Sequence, residues 1–153
     1  MGATADLVPA ASMRLVSFSS ENAENGKHAA NAIDGDPRTV WHSSFSRELA
    51  EHPHELVIDL GGPVEVRGFR YLARQDSGWN GAFGETEFFL AATPDGFGDE
   101  PAVRATFGKS REAQRVDLEV PVTARYVWVR ALSEVNGGAW GSAAEVGVVG
   151  AIP

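Results

Sequence analysis

The chain has 153 residues, 43 % of them hydrophobic, with 13 Lys and Arg against 21 Asp and Glu and a net charge of −8. That is enough chain for one domain with a proper core; its acidity opposes nucleic acid and anionic membrane surfaces, and no apolar run approaches the ~20 residues of a membrane span. There is no cysteine, which excludes disulfides and thiolate metal sites and leaves the redox compartment open.

Residues 1–12 are small and mixed in character and read as a linker; 13–150 read as the domain and 151–153 as a tail. The first strand is expected at 13–18, where Met-Arg-Leu-Val-Ser-Phe alternates. Residues 19–27 are polar and rich in Glu and Asn, a loop, and 28–33 have room for a single helical turn. A tight turn follows, with Asp34 and Asp36 flanking Gly35, then Pro37 and Thr39. Two carboxylates and a hydroxyl on such a turn can gather oxygen ligands around calcium. By spacing alone a solvated turn is the simpler reading, and the acidic alternation and closing Glu of an EF-hand are absent.

Further along, Leu56, Ile58 and Leu60 share one face of a strand over 55–60, and Gly61-Gly62-Pro63 ends it. The next strand, 64–74, has Phe69, Tyr71 and Ala73 in phase. After a loop at 75–84, strands are expected at 85–92, 103–107, 114–120, 124–132 and 143–149, with Pro94-Asp95-Gly96 as a turn. Short strands between Gly and Pro turns, with no sustained helical period, predict an all-β antiparallel sandwich or jelly roll.

Several polar and aromatic residues fall in loops: His42 and Phe45 after the acidic turn, Arg74 at the head of a loop that carries Trp79 and Asn80, and Trp140 in a Gly-rich stretch. A sugar site needs an aromatic face for the C–H side of a pyranose and a few fixed donors and acceptors for its hydroxyls. Arg offers a planar fork of donors and His either role. Each residue alone has a structural alternative, and Trp41, in phase with an apolar position, reads as core.

The segments Ala-Ile-Asp-Gly-Asp-Pro-Arg-Thr-Val-Trp-His-Ser and Pro-His-Glu-Leu-Val-Ile-Asp-Leu-Gly-Gly resemble the discoidin, or coagulation-factor type C, domains. So do Gly-Phe-Arg-Tyr-Leu-Ala-Arg-Gln-Asp, Ala-Arg-Tyr-Val-Trp-Val-Arg-Ala-Leu-Ser-Glu-Val-Asn-Gly and Trp-Gly-Ser-Ala-Ala-Glu-Val. Within that superfamily the chain is similar to carbohydrate-binding module family 32, as found on bacterial sialidases and at the amino terminus of galactose oxidase. The resemblance covers about 13–150. It implies an eight-stranded jelly-roll sandwich and one structural calcium. The implied ligands are the Asn31 carbonyl, the Asp34 carboxylate, the Asp36 carbonyl, the Thr39 carbonyl and hydroxyl, the Ala144 carbonyl and the Glu145 carboxylate.

The resemblance also implies a galactose-type site. His42 and Arg74 would bond hydroxyls, and Phe45 and Trp140 would give aromatic surface. Glu24 with Asn25, and Asn80, would fall where acidic residues stand in relatives. Phe45 replaces a Trp and Asn80 a Glu of the sialidase-type pattern, and Ala73 replaces a frequent Pro. The implied function is a non-catalytic, extracellular module that binds carbohydrate and targets a parent catalytic domain in the same polypeptide. The alternatives are an adhesion module for a protein partner or a purely structural accessory domain; a glycosidase would need two carboxylates, of which Asp76 and Glu85 are candidates.

Overall fold

A computed structural model describes residues 6–151; the outer parts of the expected linker and tail, 1–5 and 152–153, lie outside the described residues. Eight strands occur: β1 (Arg14–Phe18), β2 (Trp41–His42), β3 (His54–Leu72), β4 (Glu85–Ala91), β5 (Val103–Thr106), β6 (Gln114–Ala131), β7 (Ser142–Ala143) and β8 (Glu145–Ala151). The helical turn expected before the acidic turn is a 3₁₀ turn at Ala29–Ile33.

Two expected pairs of strands are each one long strand. β3 continues through the glycines at 61 and 62, and β6 through Pro121, so that the two run antiparallel to each other along both halves, with the register broken between Asp59 and Val64. Gly61 makes the corner possible. Its φ is +89°, and a Cβ there would meet the Ser12 carbonyl at 2.6 Å. The first half of β3 pairs with β1, and the second half of β6 pairs with β4, which pairs with β5. The second half of β3 pairs instead with β8. One bent antiparallel pair, β3 with β6, therefore contributes to both layers of a sandwich.

The alternation read from the sequence decides what lies between the layers. Leu56, Ile58 and Leu60 point inward from one half of β3, and Phe69 and Tyr71 from the other, all buried. Phe69 stacks on Phe88 at 4.3 Å between ring centroids, and Tyr71 on Phe83 at 4.5 Å. The Tyr71 hydroxyl donates to the Ser142 carbonyl and accepts from the Phe83 amide, so the ring that anchors the core also sets the height of β7.

Two expectations change. Residues 7–12 are part of the fold: Leu7 bridges Val149, the Val8 amide bonds the Val148 carbonyl, and Val8 is buried, because the free edge of β8 accepts another strand-like segment. β2 and β7 are too short to leave a periodic signal and were not expected as a separate pair. Trp128 faces out from β6 and stacks on Phe89 at 4.3 Å, a small aromatic cluster on the outer face of the sheet.

Candidate functional site

β2 pairs with β7 so that His42 stands opposite Ser142, two residues beyond Trp140. Trp41 turns into the core, fully buried, its indole N–H donating to the Ser20 carbonyl. His42 is buried too, but its ring meets Phe45 edge-on at 4.7 Å and lies 6.5 Å from the Trp140 ring. Its Nδ1 sits 2.7 Å from the Ser43 carbonyl and must donate there, which leaves Nε2 as the acceptor. Burial holds the imidazole below its ordinary pKa, and the nearby charges of Arg74 and Lys27 push the same way. The ring is therefore neutral near pH 7, with one lone pair presented at a fixed angle.

Arg74 begins the next loop, and only 14 % of its side chain is exposed. Its Nε and Nη2 donate to the two Asp76 oxygens at 2.7 Å each, and Nη1 donates to the Asn80 carbonyl. Three of five donor hydrogens orient the fork, and the outer two remain for a ligand. The Ser142 hydroxyl also donates to the Asn80 carbonyl, tying this loop to β7. Glu134 completes the joint. One carboxylate oxygen accepts from the Gly81 amide and the other from the Gly138 amide, so the loops carrying Asn80 and Trp140 share one buried clasp.

The structure thus brings His42, Phe45, Arg74, Asn80 and Trp140 to one end of the sandwich. Glu24 and Asn25 lie in an adjoining 3₁₀ turn, Ala23–Asn25. They are joined to the site through Asn22, whose side-chain amide donates to Asn25 while its carbonyl oxygen accepts the amides of Phe45 and Ser46. Glu24 itself is engaged by Arg47. Trp79 departs from the expectation. It is half-buried against the core and carries the Arg111 guanidinium 3.6 Å from its ring centre, a cation where a sugar would have stacked. Asn22 and Glu134 were missed by residue-type reasoning because neither is aromatic, basic or part of a turn signal; the Ser-Glu-Val-Asn-Gly run was the available cue to Glu134.

On the acidic turn, Asp34 Oδ1 accepts the Asp36 amide. The Thr39 hydroxyl lies 2.5 Å from Asp34 Oδ2, 3.0 Å from the Asp36 carbonyl and 3.5 Å from the Asn31 carbonyl. One hydroxyl proton cannot satisfy three acceptors. Glu145, from β8, adds a carboxylate whose Oε1 is buried without a partner. Burial, then hydrogen bonding to Asp34 and repulsion by its charge, push the Glu145 carboxyl up to about 8. No cluster of three or more His, Cys, Asp or Glu occurs among the described residues. The gathered donors are instead two carboxylates with carbonyls and a hydroxyl, an all-oxygen set that suits calcium rather than a transition metal. Asn31, Asp34, Asp36, Thr39 and Glu145 offer oxygens that fit such an ion, and Ala144 directly precedes Glu145 in the chain.

Two grooves lie away from this rim, one of them lined by residues around Gly61 and Arg125. The other, of about 520 Å³, lies between residues 7–10 and β8, and includes none of His42, Phe45, Arg74 or Trp140. The candidate site is a rim of aromatic and hydrogen-bonding groups.

A two-layer antiparallel sandwich with such a rim at its loop end defines a ligand-binding module. The chain belongs to the F5/8 type C domain family, whose model matches residues 16–146. A sialidase from Micromonospora viridifaciens is 34 % identical over 150 residues, 96 % of this chain and 23 % of that protein. Galactose oxidase from Gibberella zeae is 33 % identical over 129 residues, 84 % of this chain and 19 % of that protein. The chain therefore spans about a fifth of the length of these curated relatives. Among solved structures, a family 32 carbohydrate-binding module from Clostridium perfringens, in complex with GalNAc-β-1,3-galactose, superposes with a TM-score of 0.82 at 27 % identity. The match covers 94 % of this chain and 99 % of that one.

Proposed function

We propose that this domain is a non-catalytic carbohydrate-binding module for galactose-type sugars, acting outside the cell to hold a glycan-active parent polypeptide near its substrate. The observation that carries the reading is the convergence of a neutral His42 acceptor, the Arg74 fork and the Phe45 and Trp140 rings at one end of the sandwich. An aromatic wall meets the apolar C–H face of a pyranose, while one acceptor and two donor hydrogens meet neighbouring hydroxyls. The family-32 relative solved with a galactose-containing disaccharide supports the sugar class.

The carboxylates argue against hydrolysis at this rim. Both Asp76 oxygens are held by Arg74, which keeps the carboxyl below the usual range and unable to serve as a general acid near neutral pH. A shallow site that desolvates few groups binds in the millimolar to micromolar range, on the order of 4–8 kcal/mol. Such a site acts by raising effective concentration. Calcium bound by the 31–39 turn and Glu145 would clamp the first loops to β8 and hold the rim in shape.

The test is a calcium-replete glycan array on wild type, His42→Ala and Arg74→Ala. Binding of terminal galactose or a related sugar, lost in both variants, is expected. A folded wild-type domain that binds a protein ligand and no glycan would replace this reading with adhesion.

A further inference from the structure

In a chain with 21 Asp and Glu for 13 Lys and Arg, a cation without a carboxylate calls for explanation. Eight arginines have one within 4 Å. Arg14, Lys27, Arg70, Lys109 and Arg111 have none among the described residues, and of these Lys109 and Arg111, on the loop between β5 and β6, lie on the same indole. The Arg111 guanidinium carbon is 3.6 Å from the Trp79 ring centre, and Lys109 Nζ is 5.4 Å from it.

Arg111 is fixed in place. Its Nη1 donates to the Arg74 and Gly78 carbonyls, and Trp79 supports the plane from below. The Nε and Nη2 hydrogens have no protein acceptor among the described residues. Gly78 separates this guanidinium from that of Arg74: a Cβ on Gly78 would be 3.4 Å from Arg74 Cζ. Two oriented forks thus flank one glycine backbone, the inner one at the sugar rim and the outer one beside a free ammonium. The positive charge of Lys27 reaches the same corner, acting on both His42 and Asp76. Of the nearby carboxylates, Asp76 is occupied by Arg74, and Glu112 makes no ion pair with its neighbour Arg111.

Resting on the sugar-binding reading above, we infer that Lys109 and Arg111, seated on Trp79, form a subsite for an anionic substituent, a carboxylate or sulfate ester, on the glycan held by His42 and Arg74. A planar fork with its Nε and Nη2 hydrogens free, beside an exposed ammonium, matches the paired oxygens of either group. In a molecule of net charge −8 it creates a local field opposite to that of the whole. It also accounts for Trp79, whose covered ring serves as a seat for a cation.

The experiment is calorimetric titration of wild type and Lys109→Glu with galactose, a sulfated galactoside and a galactoside bearing a carboxylated sugar, at about 20 mM and about 500 mM salt. Lys109 is exposed and its side chain makes no hydrogen bond among the described residues, and a thermal melt verifies the fold of the variant. At low salt at least one anionic ligand should bind about tenfold tighter than galactose, with the gain shrinking at high salt and vanishing in Lys109→Glu while galactose affinity holds. A gain for sulfate alone or for carboxylate alone identifies the substituent. Galactose binding with no anionic gain, or a gain that survives Lys109→Glu, overturns the subsite alone. Failure of every sugar to bind overturns the underlying reading and the subsite with it.

Discussion

Glu134 and Gly81 are joined by a 2.7 Å hydrogen bond from the Gly81 amide to a carboxylate that is only 5 % exposed, and the second carboxylate oxygen takes the Gly138 amide at 2.8 Å. A single acidic side chain therefore sets the separation between the loop of Arg74 and Asn80 and the loop of Trp140. Glu134→Gln turns one acceptor into an NH₂ group facing an N–H donor. It should cost about 1–3 kcal/mol in urea denaturation. Galactose affinity should fall about tenfold, because the rim is no longer preorganised. Unchanged affinity on a destabilised fold would show that the loops hold their places without the clasp.

Phe45 is 41 % exposed, and what positions it is backbone: its amide donates to Asn22, and its ring touches His42 edge-on. Phe45→Ala should leave the melting temperature within about 2 °C of wild type, as for an exposed side chain. Galactose affinity should drop about five- to tenfold through loss of the aromatic wall. Phe45→Trp should keep or improve binding. Calorimetry on the three proteins decides it, and equal affinities would remove Phe45 from the site.

The period-2 pattern made the core legible: Leu56, Ile58, Leu60, Phe69 and Tyr71 point inward as their alternation requires. The bend was not legible, because Gly-Gly-Pro at 61–63 ends a strand or turns a corner equally well, and only the Ser12 carbonyl packed against Gly61 shows which. At the candidate site, the loop aromatics and the His-Arg pair singled out by residue type are gathered at one end of the molecule. The contact on Trp79 was not legible, since Arg111 is more than thirty positions away in sequence and no local spacing records it. β2 and β7 were hidden for a simpler reason: two residues carry no period.

The oxygen cluster around Thr39 predicts a calcium response. Calcium added to chelator-treated protein should raise the melting temperature, since a ligand at a hundred times its Kd stabilises by about 2.7 kcal/mol. Asp34→Asn should blunt the rise, and magnesium should not reproduce it, being too small and too strict in geometry for this loop. Glu145 adds a pH signature. Its carboxyl is raised from 4.5 to about 8, so the stability it contributes is present at low pH and lost as pH rises through about 8. Stability of the chelated protein should decline from about pH 5 to 8, and either calcium or Glu145→Gln should remove the decline. Melts that ignore calcium at every pH would exclude the ion from this turn.

The histidines act in the opposite direction. Burial, first among the causes, lowers the pKa of His42, His52 and His54, so each binds a proton less readily in the folded chain than in the unfolded one. Their contribution is therefore present above the ordinary histidine pKa of about 6.5 and lost as pH falls through the lower folded values. His54 is the most exposed to this effect in energetic terms: it is fully buried, its Nε2 donates to the Ala139 carbonyl, and Nδ1 has no partner to receive a second proton's hydrogen bond. In saturating calcium, which on the proposed reading would silence Glu145, urea denaturation should show stability flat from pH 8 to about 6.5 and falling below it. His54→Gln should start lower at pH 8 and fall less steeply. Galactose affinity should stay constant from pH 8 to below 6.5 because His42 remains neutral there, then weaken as Nε2 gains a proton and ceases to accept. An affinity that rises on acidification would mean that His42 donates to the sugar as a cation, reversing the role its Ser43 contact assigns.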